Sequence, residues 1–307
     1  MATVQLVTGG AGFIGSHLVE ALVARGKRVR VLDNLATGRL ENLSAVKDSV
    51  EFIQGDLRDR VVVSQVMKGV EVVFHHAALA SVPLSVEDPL TTHDVNATGT
   101  LNVLLAARDA GVHRVVYASS SSVYGGGPQL PKREEMEPDP CSPYAVSKLA
   151  GEHLCRAFLP VYGLSTVSLR YFNVFGLRQD SDSPYAAVIP KFVECLNAGE
   201  PLPVYGDGKQ TRDFIPVSSV VEVNMQAATR EGIDGEVFNV GSGKPVSLLD
   251  LISLLGEVSG REPRIRFLPE RLGDVRESWA DIEKARRMLD IVPGSLHEGL
   301  RRLMDSG

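Results

Sequence analysis

Three observations in this sequence predict an α/β fold, a doubly wound parallel sheet that carries a smaller C-terminal lobe. A short apolar run, Val4 to Thr8, leads into Gly9-Gly10-Ala11-Gly12-Phe13-Ile14-Gly15 and then into a helical pattern of Leu18, Leu22 and Val23 that stops at Gly26. Strand, glycine turn and helix in that order open a βαβ unit. The alternation then repeats, with strands expected at Arg28 to Leu32, Val50 to Gln54, Val70 to His75 and Arg114 to Ala118, and helices around Val61 to Met67 and Thr98 to Ala110. Strands that alternate with helices pair in parallel, and ligands gather at their carboxyl ends. Finally, 307 residues, 44% of them hydrophobic and 23% charged, suffice for one large domain or for a domain with a lobe.

The same composition narrows the function classes. Apolar runs are well short of the ~20 residues of a membrane span, and Met1-Ala2-Thr3 enters a strand without a basic n-region, so neither a membrane nor an export signal is expected. Cys141, Cys155 and Cys195 are odd in number and far apart, which fits reduced thiols in a cytoplasmic protein. A net charge of -6 with no basic block argues against nucleic acid as a partner. Any phosphate-bearing ligand must be held locally.

The glycine turn supplies such a place. Gly9, Gly12 and Gly15 permit a tight turn, close approach of backbone to a pyrophosphate, and close packing of helix on strand, with the phosphates at the helix N-terminus. Their spacing is one residue wider at the start than the commoner dinucleotide fingerprint. The next strand ends at Asp33, 18 residues after Gly15, where a carboxylate meets the adenosine ribose. It would accept from a free 2'-hydroxyl and repel a 2'-phosphate, so NAD is expected rather than NADP despite nearby Lys27 and Arg30.

Asp56, Ala77, Ala78 and Asn96 fall at further strand ends. His75 and His76 are adjacent strand residues facing opposite ways, with no third ligand spaced to join them, so no metal site is expected. After the strand at 114–118 comes Ser119-Ser120-Ser121-Ser122-Val123-Tyr124, and later Tyr144-Ala145-Val146-Ser147-Lys148. Residues four apart share a helix face, and an ammonium near a phenol favours the phenolate, so Lys148 is expected to bring Tyr144 down from ~10 towards neutrality. Such pairs arise by chance on many solvated helices. The serine run at a carboxyl end gives this one its context, because one hydroxyl can donate and accept at once.

Together these residues resemble the extended short-chain dehydrogenase/reductase superfamily and, within it, the UDP-galactose 4-epimerase family. The resemblance spans essentially the whole chain and rests on Thr8 to Gly15, Asp33-Asn34, Gly55-Asp56-Leu57 and Tyr144-x-x-x-Lys148. From Arg170-Tyr171-Phe172-Asn173-Val174-Phe175-Gly176, through Arg178-Gln179-Asp180 and Pro184 to Lys191, it is closer still to the branch acting on N-acetylated sugars. It implies a Rossmann NAD-binding domain over 1–175, rejoined by 218–243, a lobe mainly over 176–307 that binds a UDP-sugar, and a homodimer packed through helices of the sheet domain. The implied catalytic residues are Ser120, Tyr144 and Lys148. The implied NAD contacts are Gly9, Gly12, Phe13, Ile14, Gly15, Asp33, Asn34, Asp56, Leu57, Ala77, Ala78 and Asn96, with Tyr144 and Lys148. The implied substrate contacts are Ser120, Ser121, Ser122, Tyr144, Asn173, Val188, Tyr205, Arg212, Arg271, Asp274 and Ser278. Leu177 replaces a proline of many relatives, which should alter a turn, and Ala80 stands where some epimerases carry a lysine near the cofactor phosphates.

The resemblance implies a C4 epimerase: Tyr144 as phenolate takes the O4 proton with help from Ser120, hydride passes to NAD, and the 4-keto sugar turns before reduction. A dehydratase or decarboxylase on the same fold needs a further acid/base, a glutamate two residues before the tyrosine that closes the serine motif, where this chain has Ser122. A UDP-glucuronate 4-epimerase is a third reading, and a non-enzymatic NAD-binding module would be suggested only if Tyr144 or Lys148 were missing. Enzymes restricted to UDP-glucose and UDP-galactose carry a bulky tyrosine where Arg276-Glu277-Ser278-Trp279 has Ser278. A serine leaves room for an N-acetyl group, so both sugar pairs are expected as substrates.

Overall fold

The computed structural model describes residues 3–180, 187–270 and 275–305. Its first half follows the alternation of the sequence: β1 (Val4–Thr8), α1 (Phe13–Ala24), β2 (Arg28–Asp33), β3 (Val50–Gln54), α2 (Arg60–Val66) and β4 (Val70–His75). Next come α3 (Val82–Glu87), α4 (Pro89–His93), a π-helical turn at Asp94–Thr98, α5 (Gly99–Asp109), β5 (Arg114–Ser120), α6 (Pro143–Tyr162) and β6 (Ser165–Tyr171). Local chemistry sets the bounds of α6. Ser142 accepts from Ala145 N, Pro143 takes the first helical position where no N–H is needed, and Gly163 ends the helix in the left-handed region.

The second half is less regular: β7 (Asn173–Phe175), α7 (Val188–Ala198), β8 (Leu202–Tyr205), β9 (Thr211–Arg212), β10 (Phe214–Pro216), α8 (Val217–Thr229) and β11 (Val237–Val240). It closes with β12 (Val246–Ser247), α9 (Leu248–Ser259), β13 (Ile265–Leu268), β14 (Glu277–Ser278), α10 (Glu283–Leu289) and α11 (Leu296–Asp305).

Seven strands form one parallel sheet in the order β11-β6-β5-β4-β1-β2-β3. The direction of winding reverses between β1 and β4, so a crevice opens where Thr8 and Gly9 lie beside His75, His76 and Ala77. Successive residues feed opposite faces: Val7 and Val116 join α1 and α8 in one core layer, while Leu6 and Val115 join α2, α5 and α6 in the other. A third cluster around Phe175, Phe192, Leu202, Leu251 and Leu300 is the core of the lobe. The chain comes back to the sheet twice. Besides α8 and β11, Ala285, Leu289 and Ile291 pack into the α1/α8 layer, a return for which the sequence showed no periodic run.

Candidate active site

The catalytic residues expected from sequence converge at the carboxyl end of β5. Tyr144 and Lys148 sit on the buried side of α6, which packs along β5 and β6. Lys148 Nζ donates to Ala118 O at 2.8 Å and lies 5.3 Å from the ring centre of Tyr117 and 6.0 Å from that of Tyr144. Gly151 makes this packing possible. A Cβ there would stand 2.1 Å from the Tyr117 hydroxyl.

Ser120 faces the Tyr144 phenol and favours its ionised form. Its oxygen accepts from Ser122 N at 3.2 Å and from Ser122 Oγ at 2.9 Å, which leaves its own O–H to donate to the phenol oxygen. Ser122 therefore orients Ser120. Ser121 lies in the same 3-10 turn, half-buried.

One expectation about electrostatics is not met. Burial raises Tyr144 above the ordinary 10.0 of a phenol, Ser120 opposes that, and Lys148 is not among the causes. The reason lies in Lys148 itself, which burial brings down to about 8 while Glu152 pulls the other way. The fold places the pair together, but desolvation outweighs their attraction.

The switch-point crevice is tied to this cluster by buried polar contacts. Thr100 Oγ donates to Asn96 O, so it accepts from His75 Nε2–H at 2.9 Å; His75 Nδ1 is then left to accept from the Thr8 hydroxyl at 2.7 Å. Burial holds His75 neutral, down to about 3. Asn96 accepts from Leu79 N at 2.8 Å and donates to Leu79 O and to Ser147 Oγ, clamping the 77–80 loop onto α6. Its amide is committed to protein. Ala77 and Ala78 are half-buried beside it, and Ala80 is exposed.

On the other side of the cluster, Ser120 is in register with Tyr171, and two residues later Asn173 N donates to Asp213 O at 3.0 Å. This sets Asp213, next to Arg212, beside Asn173 just after the end of β6. β12, β9 and β14 form a small sheet in which Arg212 lies between Val246 and Ser278. The buried Asp213 pins it, accepting from Ser242 N, Ser242 Oγ, Gly243 N and Ala280 N at 2.6 to 3.1 Å. Tyr205 ends β8, Val188 starts α7 and Asn173 is exposed on β7. Arg271 and Asp274 lie outside the described residues. After Leu177, Arg178 takes φ 67 and binds Ser16 and Glu20, which ties the turn there to α1.

Residues 5–241 match a family model described as the NAD dependent epimerase/dehydratase family. The chain belongs to that family. It is 40% identical over 305 residues to a UDP-glucose 4-epimerase of Mycolicibacterium smegmatis, covering 98% of this chain and 97% of that one. A UDP-N-acetylglucosamine 4-epimerase from Methanobrevibacter ruminantium, solved with UDP-N-acetylmuramic acid, has a TM-score of 0.95 and 40% identity over 99% of this chain and 97% of its own. A UDP-glucose 4-epimerase from Thermus thermophilus, solved with NAD, has a TM-score of 0.90 and 40% identity over 99% and 98%.

The glycine turn fits the family's cofactor. α1 begins at Gly12 with no side-chain cap and no acidic residue in its first turn, so the amides of Phe13 and Ile14 are presented to an anion. Gly9 takes φ 69, and a Cβ on Gly15 would fall 2.1 Å from Gly9 O, whereas one on Gly12 would meet only Gly9 O, at 3.2 Å. The turn is thus closed on the protein side and open over the helix start. Asp33 Oδ2 accepts from Ala11 N at 2.9 Å, holding a carboxylate against the turn. Asp56 is less available: Arg58 and Asn34 occupy it and hold it well below the usual carboxylate range. Leu57 packs against Gly99.

Several supporting residues were not singled out from sequence. Ser119, Glu152, Arg170, Thr8 and Thr100 carry no spacing signal of their own, because these partners are 18 to 67 residues away. Only Glu152, four residues beyond Lys148, could have been found by extending the helix face. Among the described residues no group of His, Cys, Asp or Glu is arranged for a metal ion.

Proposed function

We propose that the protein is an NAD-dependent UDP-hexose 4-epimerase that interconverts UDP-glucose with UDP-galactose and UDP-N-acetylglucosamine with UDP-N-acetylgalactosamine. One observation carries this reading: Ser120, Tyr144 and Lys148 meet at the end of β5, with Ser122 rather than a carboxylate holding Ser120. Bound NAD would supply the hydride acceptor and donor for C4, and a positive charge that adds to that of Lys148. Tyr144 takes the proton from O4 and later returns it, and Ser120 shares it through its own O–H. The 4-keto sugar must present its other face before it is reduced. UDP is therefore gripped firmly and the sugar loosely. Arg212, Arg271 and Asp274, with Asn173, Val188 and Tyr205, are assigned to the nucleotide side, and Ser278 to the C2 substituent of the sugar.

A homodimer in the cytoplasm completes the reading. Val86, Leu90 and Val146 are 64%, 80% and 48% exposed on α3, α4 and α6, an apolar strip that a second copy would cover. No helix among the described residues is long and apolar enough to cross a membrane.

The test is to incubate the purified protein with UDP-glucose, UDP-N-acetylglucosamine and UDP-glucuronate, first alone and then with added NAD, and to follow C4 by NMR. Inversion of both hexoses is expected. No inversion of either with NAD present would sink the reading. Inversion of UDP-glucuronate alone would favour a glucuronate epimerase, and loss of a substituent without inversion would favour a lyase.

A further inference from the structure

Tyr144 and Lys148 are not the last members of their helix face. Glu152 lies one turn beyond Lys148, so the three residues, at intervals of four, line the buried side of α6. The Glu152 carboxylate is enclosed by donors. Arg170 forks onto it, Nε to Oε1 at 2.9 Å and Nη2 to Oε2 at 2.7 Å, and the Ser119 hydroxyl donates a short hydrogen bond to Oε1. Ser119 and Arg170 are register partners across β5 and β6, immediately before the Ser120 and Tyr171 pair. Both charged side chains are sequestered, 5% and 4% exposed. A buried ion pair contributes little net stability compared with apolar residues of the same volume, so its place on this face asks for a functional account.

We propose that Glu152 is a positioning residue: forked by Arg170, it supplies the negative field that holds the Lys148 ammonium, and through Ser119 it fixes the end of β5 from which Ser120 reaches Tyr144. What that pair does rests on the epimerase reading above.

The groups around Lys148 support this role. From β5, Ala118 O accepts from its amine and the Tyr117 ring lies beneath it; burial raises Tyr117 well above its ordinary value, so it stays neutral. From the end of β4, His75 and His76 face it as neutral imidazoles, held down to about 3 and about 4 by burial. On α6 itself stand the Tyr144 phenol and the Glu152 carboxylate. Glu152 is thus the anion that opposes the desolvation of Lys148. Facing Glu152 in turn are Ser119, Arg170 and the buried Cys155 thiol, and Arg170 lies over the Tyr124 ring at 4.6 Å.

Glu152→Gln alone strands Arg170 as an unpaired buried cation and destabilises the fold strongly. The decisive variant combines E152Q with R170M, which removes both charges at nearly constant volume. Two measurements are made on the full chain. With 13C-labelled lysine, the Cε signal of Lys148, assigned by its loss in Lys148→Met, should titrate near pH 8 in the parent. In the double variant the midpoint should fall, because Glu152, and not Arg170, is the charge that acts on Lys148. The alkaline limb of kcat/KM with UDP-glucose should move down by the same interval.

An unchanged lysine midpoint overturns the proposal. So does a shifted midpoint with an unmoved alkaline limb, since the field would then be present but unused. Should the parent fail to turn over any UDP-sugar, the activity reading falls instead, and the lysine titration, which needs no substrate, still decides whether Glu152 governs Lys148.

Discussion

Asp33→Ala should change cofactor choice and stability together. In the structure Asp33 is 7% exposed; its Oδ2 accepts from Ala11 N at 2.9 Å and its Oδ1 from Leu35 N at 2.8 Å. Each hydrogen bond to a charged group contributes ~1.5 to 3 kcal/mol, and water entering the alanine site recovers part of it, so a net loss of about 2 to 4 kcal/mol is expected. At ~2 to 4 °C per kcal/mol, Tm should drop by about 4 to 16 °C. NAD should bind ~10- to 150-fold more weakly, the worth of one lost charge-accepted bond from the ribose. NADP gains from the same change, because unit charges ~4 Å apart interact by ~4 kcal/mol at an effective dielectric of ~20. It does not gain a new partner in Arg30, whose guanidinium is committed to Glu51 and to the carbonyls of Val66 and Lys68. The preference for NAD should therefore shrink ~100-fold or more. Calorimetric titration of parent and variant with both dinucleotides, beside a thermal scan, measures all of this. A parent that binds NADP as tightly as NAD, or a variant that keeps the parent's ratio, refutes the role given to Asp33. An unchanged Tm refutes the hydrogen-bond accounting.

Four other outcomes are expected. Tyr144→Phe should lower kcat by ~100-fold or more, the scale of a lost acid/base, with UDP binding by calorimetry nearly intact; parent-like turnover would exclude Tyr144 as the base. Ser278→Tyr should abolish turnover of the N-acetylated sugars and spare UDP-glucose, and equal rates on both would show that Ser278 is not the gate. Gly151→Ala places a Cβ 2.1 Å from the Tyr117 hydroxyl and 2.4 Å from its Cζ. Overpacking of ~1 to 3 kcal/mol should lower Tm and, by shifting α6 under Lys148, lower kcat ~10-fold or more; a variant matching the parent in both contradicts the packing described. His76 is held down from 6.5 to about 4, so between those pH values the unfolded chain binds a proton that the fold refuses. Stability should fall as pH drops through that window, by at most ~3 kcal/mol from this residue, and Tm of His76→Gln should decline less steeply; parallel slopes would count against it.

The sequence by itself determined the sheet domain, because its signals are local. Apolar runs of five or six residues, a glycine turn and a 3.6-residue period report on backbone preferences within one βαβ unit, and β1 through β5 lie where those signals put them. Gly9, Gly12, Gly15 and Asp33 were legible for the same reason, since a turn and the end of the next strand lie within one such unit. Tyr144 and Lys148 were legible as a pair on a helix face, but not their energetics.

Only the tertiary structure decided the rest. Whether Lys148 lowers the Tyr144 phenol depends on how far both are desolvated, and burial is a property of the packed core rather than of spacing. The neighbours Arg212 and Ser278 are 66 residues apart in the chain and meet through a short strand pairing that leaves no periodic trace. The same holds for α10, which joins the sheet domain from the far end of the chain. Glu152 shows the division most plainly: its place on the helix face is written in the sequence, whereas its fork with Arg170 and its bond to Ser119 exist only because β5, β6 and α6 are packed together.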